Sequence, residues 1–114
     1  MQKLIFAILL TSSVLLTSAN AKSTNGEAIF NSKNCGLCHK KDVEAVGPSL
    51  KTIAKAYASK QKELMSYLQS NATPIVAPKR AAVMNPQLAK IKTLSEKDMK
   101  DLTTYIISIS DRQY

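Results

Sequence analysis

The apolar positions of this chain recur at helical spacing, and no stretch alternates with the two-residue period of a half-buried strand. Ser23-Thr24-Asn25-Gly26 reads as a polar lead-in that caps a first helix. Glu27 falls in its first turn, where a negative charge suits the helix dipole. Ile29 and Phe30 are its apolar anchors, and the helix is expected to run to about Asn34. Lys40 to Val46 reads as a loop, and Gly47-Pro48 as a turn. Ser49 to Ser59 is predicted helical, because Leu50, Ile53, Ala54 and Tyr57 form one stripe. Lys60 to Ser70 is predicted as another helix, with Leu64, Tyr67 and Leu68 on one side.

Asn71 to Asn85 contains Pro74 and Pro78 and has little periodicity, which predicts a long loop. Pro86 is placed at the opening of a short helical turn through Leu88 and Ile91. The last helix has the clearest pattern. Leu94 is in the staple position, and Ser95-Glu96-Lys97-Asp98 resembles a capping box with Asp98 in place of the usual Glu or Gln. Met99, Leu102, Ile106 and Ile109 share its apolar face, with Tyr105 at the edge, and the helix is expected to end near Ser110. The predicted fold class is all-α, with four to five short helices joined by loops.

The N-terminal pattern is of another kind. A basic start at Met1-Gln2-Lys3 precedes the apolar run Leu4 to Leu16, and Ala19-Asn20-Ala21 follows. That is the layout of a secretory signal peptide. Cleavage is expected between Ala21 and Lys22, which makes residues 1–21 a leader and 22–114 one domain. An uncleaved anchor is the rival reading, but a span needs about 20 apolar residues. Export from a bacterium leads most simply to the periplasm, and no stable membrane insertion is expected.

A domain of this size buries little more than ~60% of its unfolded surface and is marginal alone. The chain has no Trp, and Phe30 is its one phenylalanine after the leader. Such chains need a staple. A Cys35–Cys38 disulfide would close so small a loop that it removes little chain entropy. A large apolar cofactor in the core is the better answer. The charge balance is 16 basic to 8 acidic residues, net +8, and loss of Lys3 with the leader leaves 15 to 8. Export makes nucleic acid a poor partner. An acidic protein surface fits better, because opposite fields speed encounter. The alternative is that the lysines serve solubility.

The chemistry is concentrated in Cys35-Gly36-Leu37-Cys38-His39, a C-x-x-C-H motif. Each thiol can add across one haem vinyl group to form a thioether. The two intervening residues set the sulfurs at the two vinyl positions of one haem edge. His39, the chain's one histidine, then offers its imidazole to the iron. Three other readings compete. They are a structural disulfide, a thioredoxin-like C-x-x-C without its βαβ setting, and zinc, which wants four ligands where three exist. Methionine is a known second axial partner. Met99 lies on the apolar stripe of the last helix, and Met65 follows Leu64 on a helix. Met84 lies in the predicted loop, where no packing role accounts for a thioether, and is the leading candidate beside an open or differently filled position.

On these features the chain resembles the small bacterial monohaem members of the class I cytochromes c. The resemblance covers nearly all of residues 22–114 and rests on ordered features. Ile29-Phe30 precede the C-x-x-C-H motif, Gly47-Pro48 follows eight residues after His39, Met84 lies 45 residues after His39, and Leu94 to Ile106 closes the chain. It implies a cytochrome c fold wrapped around one covalently bound haem c. It also implies that Phe30 packs against Leu102, Tyr105 and Ile106 where the first and last helices cross. Pro48 is implied to accept the His39 Nδ1–H on its carbonyl, leaving Nε2 for iron. Met84 is implied as the sixth ligand. Many relatives flank that methionine with prolines, whereas here Val83 and Asn85 flank it and Pro86 lies one step further. Tyr57, Tyr67, Lys79 and Arg80 are candidates for propionate contacts.

The function expected from the resemblance is that of a periplasmic one-electron carrier with His–Met ligation, a monomer and not itself an enzyme. Its expected partners are redox proteins with acidic docking surfaces. Lys40, Lys41, Lys51 and Lys55, with Lys79 and Arg80, are candidates to ring the haem edge. A haem subunit of a larger oxidoreductase complex, or a gas-binding haem protein, is the alternative.

Overall fold

The computed structural model describes residues 21–111. The predicted leader, residues 1–21, lies outside them but for Ala21. Five α-helices follow in order: α1 (Ala21–Ser32), α2 (Leu50–Ala56), α3 (Gln61–Leu68), α4 (Ala81–Ile91) and α5 (Glu96–Ser108). Three single 3₁₀ turns lie at Cys35–Leu37, Pro78–Arg80 and Ile109–Asp111. There is no strand among the described residues, so the all-α expectation holds. None of the described helices is long and apolar enough to cross a membrane.

The architecture is organised by α1 crossing α5. The Phe30 ring meets Tyr105 at a centroid distance of 5.5 Å and an angle of 58°, and both join Leu102, Ile106 and Ile109 in the buried core. Burying a side chain such as Phe30 contributes roughly 1.5–3 kcal/mol. Gly26 makes the crossing possible. A Cβ there would collide with the Asp101 carbonyl oxygen and lie 2.6 Å from Tyr105 Cβ. Beside it, the Asn25 amide donates to Asp101 Oδ2 at 2.6 Å and to Asp98 Oδ1 at 3.4 Å. The polar segment Ser23–Gly26 is therefore the body of α1 and not its cap. Asn25 and Gly26 answer to α5, which local pattern does not reveal. The helix stops at Ser32, short of the expected Asn34, because Asn34 takes the left-handed conformation (φ 58°) that Asn tolerates better than most residues.

The Ser49 hydroxyl caps α2 by accepting the Thr52 N–H at 3.1 Å, and Leu50, Ala54 and Tyr57 bury the expected stripe. On α3, Leu64 and Leu68 are buried, and the Gln61 amide donates to the Thr103 and Thr104 hydroxyls of α5, each at 2.9 Å. The Ser95 hydroxyl starts α5 by accepting the Asp98 N–H at 3.1 Å. Such a cap is worth about 1 kcal/mol. Leu94 packs against the core beside it.

The segment read as a loop up to Asn85 is the principal departure. A left-handed Ala77 (φ 47°) leads into the 3₁₀ turn at Pro78–Arg80, and α4 begins directly at Ala81. Met84 thus rides on a helix, and Pro86 lies inside that helix instead of opening it. Ala81, Ala82 and Met84 are strong helix formers. The exposed Pro86 lacks only one N–H, the one that would have bonded the Ala82 carbonyl. Leu88 and Ile91 anchor α4 in the core.

Candidate cofactor-binding site

A cavity of about 570 Å³ opens beside the α1–α5 crossing, within the size range of small-molecule sites. Phe30, Leu50, Ile53, Leu64, Leu68 and Ile106 give it apolar walls. Cys35, Cys38, His39, Pro48 and Met84 all line it, so the residues singled out in the sequence converge on one space. Of the three methionines among the described residues, Met84 alone borders it; Met99 is fully buried and Met65 packs against the core elsewhere. A larger surface hollow of about 710 Å³, bordered by Ser59, Gln61, Lys62, Glu63 and Thr104, contains no thiol, imidazole or thioether.

The attachment motif follows α1 without a break. The left-handed Asn34 turns the chain, and the Leu37 N–H bonds back to the Asn34 carbonyl at 3.2 Å. The Cys38 and His39 N–H groups both bond to the Cys35 carbonyl, at 3.3 and 3.0 Å. Both cysteines are free and half-buried. Burial pushes the Cys35 thiol above its ordinary value, outweighing its backbone hydrogen bond and the nearby Lys33 charge. A thiol-disulfide catalyst needs the opposite shift. Among the described residues, no three His, Cys, Asp or Glu side chains are grouped to hold a metal ion.

His39 is held from two sides. Its Nδ1 lies 2.8 Å from the Pro48 carbonyl oxygen. With Nδ1–H donated there, Nε2 keeps its lone pair for a metal. The other restraint is Gly47, whose role the sequence analysis missed. A Cβ on Gly47 would lie 2.6 Å from His39 Cε1 and 2.8 Å from Nδ1. No glycine here has a positive φ, so Gly47 is required for space and not for backbone freedom. The Gly47 N–H bonds to the Cys38 carbonyl at 2.9 Å, tying this turn to the motif. A glycine in a Gly-Pro turn reads from sequence as a turn former, so nothing local announced its contact with the ring.

The polar walls are phenolic, amidic and cationic. Tyr57, Tyr67, Gln87, Arg80, Lys33 and Lys90 line the cavity, and among the described residues no Asp or Glu does. Gln87 and Lys90 escaped the sequence reading because nothing local shows that this part of α4 borders the cavity. Lys79 is exposed and lies off the cavity walls. Arg80 pairs with Glu44 at 3.0 Å, and Lys51 pairs with Asp42 at 2.8 Å. Exposed pairs of this kind contribute at most about 1 kcal/mol.

Two thiols, an imidazole with one nitrogen engaged, a thioether, apolar walls and no competing carboxylate make a donor set and lining that fit a covalently attached haem. The comparisons with known proteins agree. The cytochrome c family model matches residues 23–110. Cytochrome c-551 of Stutzerimonas stutzeri is 50% identical over 34 residues, which cover 30% of this chain and 33% of that protein. The aligned stretch thus spans about a third of the relative's length. The chain belongs to the cytochrome c family, which binds haem c covalently, and its Cys35 and Cys38 have the spacing of that attachment motif.

Proposed function

We propose that the protein is a periplasmic one-electron carrier. Cys35 and Cys38 hold haem c, and His39 and Met84 are the axial ligands. The observation that carries this reading is the convergence of both thiols, His39 and Met84 on one cavity, with His39 Nδ1 at 2.8 Å from the Pro48 carbonyl. The bound haem iron supplies an Fe(III)/Fe(II) couple, and everything else falls to the chain. The Pro48 carbonyl and Gly47 orient the imidazole and hold its proton on Nδ1. Met84 offers a thioether, which favours the reduced metal, and the apolar walls disfavour the extra charge of the oxidised one. Two strong ligands leave no position for oxygen or substrate, which favours transfer over catalysis.

The leader pattern in residues 1–21 supports export, and the balance of 15 basic to 8 acidic residues left without Lys3 supports an acidic redox partner. With Lys51 and Arg80 paired to Asp42 and Glu44, steering rests on the other basic residues, such as Lys40 beside His39 and Lys33 and Lys90 on the cavity wall.

Visible and near-infrared spectra of the exported protein, with and without carbon monoxide, test the reading. The expected result is a low-spin c-type spectrum with a sulfur-to-iron band in the oxidised form and no change with carbon monoxide. High-spin iron that binds carbon monoxide would remove Met84 as ligand and favour the gas-binding alternative.

A further inference from the structure

Two phenols in the cavity have protons to give and no protein group among the described residues to receive them. Tyr57, at the C-terminal cap of α2, is 2% exposed. Its hydroxyl oxygen accepts the Ile75 N–H at 3.0 Å, a bond that uses an acceptor position and leaves the hydroxyl proton uncommitted. Tyr67, on α3, is half-buried and lines the same cavity. No hydrogen bond to its hydroxyl is made within the described chain. Burial, and secondly the neighbouring Tyr57, raise the Tyr67 phenol above its ordinary value, which keeps it a donor.

Both phenols line one cavity and leave donor capacity unused, so an acceptor from outside the chain suits them. The walls narrow its chemistry. They carry Lys33, Arg80 and Lys90 and, among the described residues, no carboxylate, so an anionic oxygen acceptor suits them. Haem c carries two carboxylates, on the edge opposite its thioether attachments. The phenols come from α2 and α3, chain segments separate from the turn that bears Cys35 and Cys38.

Resting on the haem reading above, we propose that Tyr57 and Tyr67 form the propionate-binding pair, each donating its O–H to a haem carboxylate. Arg80 is left to its Glu44 partner, and Lys79 takes no part. The Ile75 bond to Tyr57 then has a second purpose, since it fixes the direction in which the Tyr57 hydroxyl can donate.

Resonance Raman spectra of the exported, haem-loaded protein and its Tyr67→Phe and Tyr57→Phe variants provide the test. The readout is the propionate bending band, which responds to hydrogen bonding at the carboxylates and not to electron-transfer activity. Tyr67→Phe is the cleaner variant, because it deletes a hydroxyl that bonds to no other part of the described chain. The expected result is a displaced band in each single variant and a larger displacement in the double variant. An unmoved band in Tyr67→Phe that still carries covalent haem by mass would overturn the proposal and leave the haem reading standing. Wild-type protein without covalent haem would overturn both.

Discussion

At the residue scale, the two glycines that flank His39 differ in kind. A Cβ on Gly36 meets only Phe30 Cε1, at an ordinary 3.5 Å, whereas one on Gly47 strikes the imidazole. Gly36→Ala should therefore be nearly silent. Gly47→Ala must rotate the ring or push the turn away from it, at an overpacking cost of about 1–3 kcal/mol. The Pro48 hydrogen bond is then strained or lost, and Nδ1 donates less well. Electron paramagnetic resonance of the oxidised protein reports the orientation of an axial imidazole. The expected outcome is altered g-values in Gly47→Ala and wild-type values in Gly36→Ala. Identical spectra for all three proteins would show that the ring is oriented by other contacts.

At the element scale, the α1–α5 crossing has a polar clasp that responds to acid. Hydrogen bonds from Lys97 and then Asn25 hold the Asp101 carboxyl below its usual value of 3.8. A carboxylate whose pKa is lowered by folding adds stability above its unfolded value, and loses it as pH falls through the folded one. Thermal melting followed from pH 7 downward should show wild-type stability falling below about pH 4. Asp101→Asn should be less stable at neutral pH and flatter in the acid range; parallel pH profiles would dismiss the clasp. Neither this clasp nor the role of Gly26 was legible in the sequence. The pattern Ser-Thr-Asn-Gly is a good helix lead-in, and only the close passage of α5 turns it into a contact surface. By contrast, α5 was legible almost residue by residue. Its cap at Ser95 and its stripe from Met99 to Ile109 are local signals that packing reinforces. α4 was misread because Pro86 and the residue before it were taken as a boundary, while the helix formers at 81–84 and the anchors Leu88 and Ile91 outweigh one missing N–H. The convergence of Met84 with the motif depends on contacts between distant segments, although C-x-x-C-H itself was plain.

At the scale of the whole molecule, the cavity is too large for so small a domain to leave without a ligand. Leu50, Ile53, Leu64 and Leu68 line it, and without an apolar group between them their side chains lack packing partners on that side. A Cys35→Ala, Cys38→Ala double variant, which cannot attach haem, is expected to be mostly unfolded by circular dichroism at 25 °C. A cooperative melt matching wild type would refute this. The basic surface leads to a second expectation. Turnover with an acidic redox partner should slow as ionic strength rises to where the Debye length is about 8 Å, and turnover indifferent to salt would remove the steering claim.

The helical setting of Met84 has a consequence for speed. A sulfur on a free loop can drift when the metal changes charge, and each drift adds to the nuclear rearrangement that an electron must await. On α4 the backbone beneath the sulfur moves only if a helix anchored by Leu88 and Ile91 rolls as a unit. With His39 clamped on its own side by Gly47 and Pro48, both proposed ligands stand on anchored backbone, and the two oxidation states can share nearly one geometry.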